Sequence, residues 1–368
     1  MGNCLHSSHN TDFFVMKKSK RRVGSDISID NPRIWLEDFK TIKLIGNGTT
    51  SKVYLVEKLD SKKKYAMKVM KKSKQYRKDS VDIRGERIIL EKIRHPFVVG
   101  LHYAFQQQLT LNLILELAKG GDLFNHIYKM KGLPEDHWRF YAAEIFCGLE
   151  FLHQNGIVYR NLKPEDVLLD KDGHIKLSDF GLARSKDEIS STFCGDPYYI
   201  SPEIIKGEEQ TYAVDWWSFG ILIYEMMDAE APFKGDSPKG ILKSVLTKSI
   251  SMPEKFSEEA SDLIKRLLHP NPEERLGWDE DNIQEIKDHK FFESIDWEKI
   301  YLRKFPVPFT PEVSYNLEVW NVDQSGQNGI SIDKQISFSK LHWSDGNMSN
   351  FYFNAHDCYG PEDQQQNI

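Results

Sequence analysis

The stretch that most restricts the fold is Tyr159-Arg160-Asn161-Leu162-Lys163-Pro164-Glu165-Asp166, because a short ribbon comes directly after it. Two short apolar runs, 167–169 and 174–177, are separated by Lys171-Asp172-Gly173 and end at Asp179-Phe180-Gly181. Asp-Gly between apolar runs signals a chain reversal in a hairpin. The reversal folds the two polar segments back to one end of a small ribbon. Asp166 and Asp179 can then converge on a hard cation such as Mg²⁺, which prefers oxygen ligands. Lys163 stands beside them as a cation for a phosphate group.

The rest of the chain divides around this ribbon. At 368 residues it is long enough for two or three domains at about 150 residues each. Residues 1–38 read as an arm with a basic cluster at 17–22. Residues 39–117 are mostly strand-like, with runs at 39–45, 53–57 and 65–70 and one helix at 79–93. Residues 118–292 are mostly helical. Pro134 opens a helix whose apolar positions Trp138, Tyr141, Ile145, Leu149 and Leu152 recur every three or four residues, and Gly156 ends it. Further helices are expected at 215–227 and 257–268. After residue 293 the periodicity fades into a polar tail, 293–368. A small strand-rich half followed by a larger helical one leaves a crevice between them, a common place for a ligand.

Charge and cysteine content exclude several classes. Forty-nine basic residues stand against 55 acidic ones, a net −6, so a generally basic nucleic-acid binder is excluded. Cys4, Cys147, Cys194 and Cys358 form no CxxC pair, which fits a reducing, cytoplasmic setting without disulfides or structural zinc. No apolar run approaches the ~18 residues of a membrane span, and there is no cleavable secretory pattern at the start.

Two more segments carry chemistry. Gly46-Asn47-Gly48-Thr49-Thr50-Ser51-Lys52-Val53 joins two strands. Its glycines would let backbone N–H groups approach phosphate oxygens, although Ser51 takes the third glycine position of G-x-G-x-x-G and an ordinary hairpin turn is an equal reading. In Tyr65-Ala66-Met67-Lys68 the lysine shares a strand face with Ala66 and Met70. Glu86 falls on the apolar stripe Ile83, Leu90, Ile93 of the helix at 79–93, where a carboxylate is costly unless paired. The economical arrangement is a Lys68–Glu86 ion pair that aims the lysine at phosphates.

In order and spacing these segments resemble a eukaryotic protein kinase: a Gly-rich loop, a V-A-I-K lysine, H-R-D-L-x-x-x-N, D-F-G and A-P-E, the last present as Ser201-Pro202-Glu203. Thr192-Phe193-Cys194-Gly195, Asp215-Trp216-Trp217-Ser218-Phe219-Gly220, Pro272-Glu273-Glu274-Arg275-Leu276-Gly277 and Pro308-Phe309-Thr310-Pro311 place the resemblance in the AGC group, near the catalytic subunit of the cAMP-dependent kinase. It implies an α+β, two-lobed fold with a small antiparallel β lobe (39–117), a larger helical lobe (118–292) and an AGC-type tail.

The resemblance also implies ATP and Mg²⁺ as cofactors and transfer of the γ-phosphate to Ser or Thr of protein substrates. Ile45 to Val53 would cover ATP, Lys68 hold its phosphates with Glu86 behind, Glu116 and Ala118 meet the adenine edge, and Asp122 the ribose, with Leu115 as gatekeeper. Asp179 and Asp166 would bind the metal. Thr192 would be a phosphosite for an upstream kinase, its phosphate docking on Arg160 and Arg184. Asp122, Glu165 and Glu225 match positions that bind substrate arginines in basophilic relatives. A regulatory subunit is a further partner of such kinases.

Three departures cut against the family pattern. Asn161 stands in place of the catalytic aspartate, Asp166 in place of the metal-binding asparagine, and Asp196 in place of a threonine that touches the catalytic loop. An amide cannot take a proton at neutral pH but can accept a hydrogen bond through its carbonyl oxygen. Two readings stay open: an enzyme in which Asp196 or Asp166 supplies the charge missing at 161, with Asn161, Lys163 and Asp196 as its catalytic residues, or a pseudokinase that holds nucleotide and acts as an allosteric module. The tail lacks a clear Phe-x-x-Phe motif, with Phe351 and Phe353 its nearest aromatics, so the sequence leaves its docking on the small lobe open. Met1-Gly2-Asn3-Cys4 is similar to the start of an acylated protein, and Cys4 or the 17–22 cluster would supply the second signal that membrane association needs; a plain charged arm is the competing reading.

Overall fold

The computed structural model describes residues 33–48, 51–72, 83–131, 134–189, 193–279, 282–311 and 352–354. The expectations for Gly2, Cys4, the 17–22 cluster, Thr49, Thr50, Thr192 and Phe351 lie outside them.

The strands β1 (Phe39–Asn47), β2 (Ser51–Lys58), β3 (Lys64–Lys71), β4 (Leu101–Gln106) and β5 (Thr110–Leu115) form an antiparallel sheet in the order β1-β2-β3-β5-β4, with the helix α1 (Ile83–Lys92) between β3 and β4 in sequence. Side chains alternate across β3 as the pleat requires. Tyr65 and Met67 pack with Phe39, Val56, Tyr103, Phe105 and Ile114 on one face. Met70 on the other face joins the main core with Leu90 and Ile93 of α1. Lys68 belongs to that second face, in register with Val53 on one side and Leu113 on the other. Residues 34–38, grouped with the arm in the sequence, pack here instead: Ile34 is buried in the aromatic layer, and a single turn at Leu36–Asp38 leads into β1.

The helical part follows: β6 (Gly121–Asp122), α2 (Leu123–Lys129), α3 (Glu135–Gln154), β7 (Ile157–Val158), β8 (Val167–Leu169), β9 (Ile175–Leu177), β10 (Arg184–Ser185), α4 (Pro202–Lys206), α5 (Ala213–Asp228), α6 (Pro238–Thr247), α7 (Glu258–Leu267), α8 (Gln284–Lys287) and α9 (Trp297–Tyr301). Pro134 is the N-cap of α3, and Gly156 just past its end has φ +70°, the left-handed conformation that suits glycine after a helix. Every residue of α5 from Ala213 to Met227 is buried, as expected of a helix with apolar residues on all sides, and Asp215, Ser218 and Glu225 are buried with them. Beyond 293, where periodicity gave no element, α9 forms and Phe305, Val307 and Phe309 pack against the main core.

The expected hairpin is β8–β9, with Val167 opposite Leu177 and Leu169 opposite Ile175. Gly173 in its turn has φ +90°, and a Cβ there would come within 2.5 Å of the Phe309 carbonyl oxygen, so glycine is required twice over. Leu177 N–H donates to Phe97 O at 2.8 Å and Val99 N–H to Leu177 O at 2.9 Å, which fastens the hairpin to the segment between α1 and β4.

The docking of the tail, left open by the sequence, is present in the structure. Phe353–Asn354 forms β11, antiparallel to β4, and Phe353 is buried in the main core. Arg87 of α1 donates to Tyr352 O at 3.2 Å, and Ile34 N–H donates to the Tyr352 hydroxyl at 3.2 Å. A Phe-x-x-Phe spacing is not needed, because two residues of ladder, one buried ring and two flanking hydrogen bonds hold the segment.

Candidate active site

At the open end of the hairpin, Ser178 N–H donates to Asp166 O at 2.9 Å and its hydroxyl donates to the same oxygen at 3.0 Å. This closes the ribbon one step past its ladder and sets Asp179 beside Asp166. Asp179 has φ +54°, a left-handed value unusual for a side chain other than glycine. That bend turns its carboxylate toward the small lobe while Phe180 turns into the core, fully buried against Tyr159 with ring centroids 5.1 Å apart.

Lys68 Nζ meets this carboxylate at 2.7 Å and Glu86 at 2.6 and 2.9 Å. The expected Lys68–Glu86 pair therefore forms, with Asp179 as a third partner. Burial works against the Lys68 charge, but the two carboxylates outweigh it and its pKa rises. Burial would also raise Asp179, and the Lys68 charge and hydrogen bond hold it below the ordinary carboxylate value instead. Asp166 behaves oppositely: burial and the neighbouring Asp179 charge push it well above the ordinary range.

Asn161 stands between these carboxylates. Its Nδ2 donates to Asp166 Oδ2 at 2.8 Å and lies 3.5 Å from Asp179 Oδ2. Lys163 Nζ is 3.9 Å from Asp166, its pKa raised because Asp166, Glu165 and Asp196 overcome its burial. Asp196 accepts Tyr198 N–H at 3.0 Å and lines one crevice together with Asn161 and Lys163.

The small-lobe edge of the site is partly described. Gly48 N–H donates to Ser51 O at 2.9 Å, and Gly46 faces Val53 across the ladder, where a Cβ would sit 3.3 Å from the Val53 Cβ. Ile45, Asn47 and Lys52 belong to the same two strands. Glu116 N–H is committed to Gly100 O at 2.8 Å, so any base contact falls to its carbonyl; its side chain pairs with Lys176 at 2.9 Å. Ala118 follows in the half-buried segment after Leu115. Asp122 caps α2, accepting from Asn125 N–H at 2.8 Å.

On the opposite side, Glu225 accepts the hydroxyls of Tyr199 and Tyr128, and burial pushes its pKa up to about 7. One oxygen of Glu165, Oε2, is buried without a partner. Arg160, with φ +60°, donates to Leu182 O at 2.9 Å and Gln210 Oε1 at 3.1 Å, and Arg184 lies close enough to depress its pKa further after burial.

Sequence reasoning missed what holds the loop. Asp215 accepts Tyr159 N–H at 2.8 Å, Arg160 N–H at 2.7 Å and His153 Nε2 at 2.8 Å. Arg275 grips Glu203 at 2.6 and 2.9 Å and stacks over Trp217 at 5.1 Å. The signal was available for Asp215, since a carboxylate in a helix buried on every side must find donors.

Among the described residues no three His, Cys, Asp or Glu side chains converge as a metal cage, and no helix is long and apolar enough to cross a membrane. The family model for the protein kinase domain matches residues 39–292. Ribosomal protein S6 kinase alpha-3 of Homo sapiens is 43% identical over 279 residues, 74% of this chain and 38% of that protein. Ribosomal protein S6 kinase 2 alpha of Gallus gallus is 43% identical over 281 residues, 75% of this chain and 37% of that protein. Ribosomal protein S6 kinase alpha-6 of Danio rerio is 43% identical over 279 residues, again 74% of this chain and 38% of the relative. The chain thus spans well under half the length of the curated relatives it matches. An antiparallel small lobe, a helical large lobe, a lysine held between two carboxylates and this breadth of match lead to one conclusion: the chain belongs to the protein kinase family, in the AGC group that includes the ribosomal S6 kinases.

Proposed function

We propose that the chain is an ATP- and Mg²⁺-dependent serine/threonine protein kinase that prefers acceptors near basic residues. The observation that carries this reading is Lys68, held at 2.7 Å from Asp179 and 2.6 Å from Glu86, so that a cation for phosphates stands assembled beside the carboxylates for a metal. The residues fit the two absent groups. Asp166 and Asp179 offer hard anionic oxygens on either side of one amide, and Mg²⁺ keeps several waters and phosphate oxygens of its own, so two protein carboxylates suffice. Gly46 and Gly48 place no side chain over the first turn, Lys68 would hold phosphates there, and Lys163 faces the crevice as a second cation. When bound, the metal neutralises charge that develops on the transferred group, and positioning with electrostatics carries most of phosphoryl transfer. The residues' own work is then to orient the acceptor hydroxyl through Asn161 and Lys163 and to hold basic side chains of the substrate at Glu165, Glu225 and Asp122.

Arg160 and Arg184 support a phosphate on Thr192 as the ordering signal for the loop, placed there by an upstream kinase. Acylation at Gly2 with Cys4 or the basic cluster as second signal would bring the enzyme to an anionic membrane, and the mass of the native N-terminus tests it. The competing reading, a nucleotide-holding module without transfer, is favoured by Asn161, since loss of a general base typically costs about 10²–10⁴ in rate. Transfer of labelled phosphate to an arginine-containing peptide by purified protein, with Lys68→Met as blank, separates them: transfer above the blank supports the enzyme, and nucleotide binding without transfer supports the module.

A further inference from the structure

Relative to the family pattern, an amide and a carboxylate have traded places between 161 and 166. We propose that Asn161 and Asp166 work as one exchanged pair, in which the Asn161 amide clamps the metal-side carboxylates and turns its own carbonyl oxygen to the acceptor hydroxyl. This deepens the kinase reading above and rests on it for the identity of the hydroxyl.

The orientation of the amide is dictated by its neighbours. Nδ2 lies 2.8 Å from Asp166 Oδ2 and 3.5 Å from Asp179 Oδ2. An amide nitrogen carries two hydrogens and no acceptor site, whereas Oδ1 carries only lone pairs. Flipping the group would set Oδ1 against Asp179 Oδ2, whose carboxylate is paired with Lys68, and would take from Asp166 Oδ2 its amide donor. Oδ1 therefore takes the other edge of the side chain, and Asn161 lines one crevice with Lys163, Gly195 and Asp196. There it can accept a hydroxyl hydrogen bond and aim the oxygen, without itself taking the proton. Asn161 is thus a positioning residue on its nitrogen side and a hydroxyl acceptor on its oxygen side.

The exchange also conserves charge. Three carboxylates, Glu86, Asp179 and Asp166, already share the two ammonium groups of Lys68 and Lys163. Restoring aspartate at 161 alone would bring a fourth carboxylate into this set and delete the donor that joins Asp166 and Asp179. The single reversion, which looks like a repair, should therefore do harm. Reverting both positions keeps three carboxylates and the hydrogen bond, with donor and acceptor reversed.

The test compares wild type, Asn161→Asp, Asp166→Asn and the double variant Asn161→Asp/Asp166→Asn. Two readouts are independent of turnover: the thermal midpoint without nucleotide, and Mg²⁺-dependent affinity for ADP by calorimetry. Each single variant should lose about tenfold or more in ADP affinity, and the double should recover to within about threefold of wild type, because coupling between contacting residues makes such effects non-additive. Asn161→Asp should lower the thermal midpoint and the double should restore it; an unfolded single beside a folded double is the same coupling in stronger form. The proposal is overturned if the effects of the singles simply add in the double, or if Asn161→Asp alone raises peptide turnover by about 10² or more with ADP affinity and midpoint intact, as a plain lost base would. A wild type that binds no Mg²⁺–ADP sinks the kinase reading instead, and the midpoints of the four proteins still decide whether 161 and 166 are coupled.

Discussion

Two sets of buried charges in the large lobe obey different rules. In the support behind the loop, every charge has matched partners. Arg275 gives Glu203 a two-pronged grip and donates to Ala213 O at 2.7 Å, and Asp215 collects two backbone N–H groups and His153. In the crevice, acceptors outnumber donors. Asp166 adjoins Asp179 with one amide between them, and among the described residues Glu165 has a buried oxygen without a partner and Glu225 meets tyrosine hydroxyls. Burying unpaired charge costs free energy that a purely structural site would not retain. The excess of negative charge lies where a metal ion and cationic substrate side chains would bring the complement.

The contrast yields predictions, the largest on the support side. Arg275→Ala strands the Glu203 carboxylate in the core and should cost about 3–5 kcal/mol, read from the midpoint of chemical denaturation. A loss under about 1 kcal/mol would show that the support is not more demanding than an exposed ion pair, and would break the comparison. On the crevice side, Lys68→Met should leave the denaturation midpoint far less disturbed while lowering phosphate transfer by about 10²–10³, the usual cost of deleting one electrostatic donor. Equal damage to stability would assign Lys68 to the support instead.

Glu225 sharpens the comparison through pH. Its carboxyl is held up to about 7 by burial, so the folded protein prefers it neutral. Its contribution to stability is complete below the unfolded value of about 4.3 and is lost as pH rises through about 7. The attraction for a guanidinium runs the other way and grows as the carboxylate forms. The ratio of kcat/KM for an arginine peptide over its glutamine analogue should rise several-fold between pH 6 and 8, within the tenfold or so that one such contact supplies, and Glu225→Gln should flatten the rise. The smallest effect belongs to the tail. Phe353→Ala should release β11 from β4 by local unfolding, moving the global midpoint by about 1 kcal/mol or less while hydrogen exchange at residues 103–104 speeds up.

How much of this could be read in the sequence depended on how local the cause was. The hairpin around Gly173, the end of α3 at Gly156 and the shared face of Lys68 and Met70 follow from turn chemistry and periodicity, which a few neighbouring residues determine. The Lys68–Glu86 pair was legible because each residue alone would be misplaced among apolar neighbours. The third partner, Asp179, was not, since its direction comes from a left-handed backbone angle rather than from a pattern. Asp215 sits in a recognisable motif, yet its three donors come from two distant segments. β11 was invisible for a similar reason: two residues cannot show alternation, and Phe353 is buried only because β4 and α1 wait for it.

That last contact reaches further than its size suggests. Arg87 ties Tyr352 to α1, and the very next residue back along the helix, Glu86, steadies the lysine at the centre of the site. The segment 352–354 is therefore one peptide bond removed from the residue that pairs with Lys68. Whatever pulls that segment away from the sheet edge would slacken the Lys68–Glu86 pair from a distance.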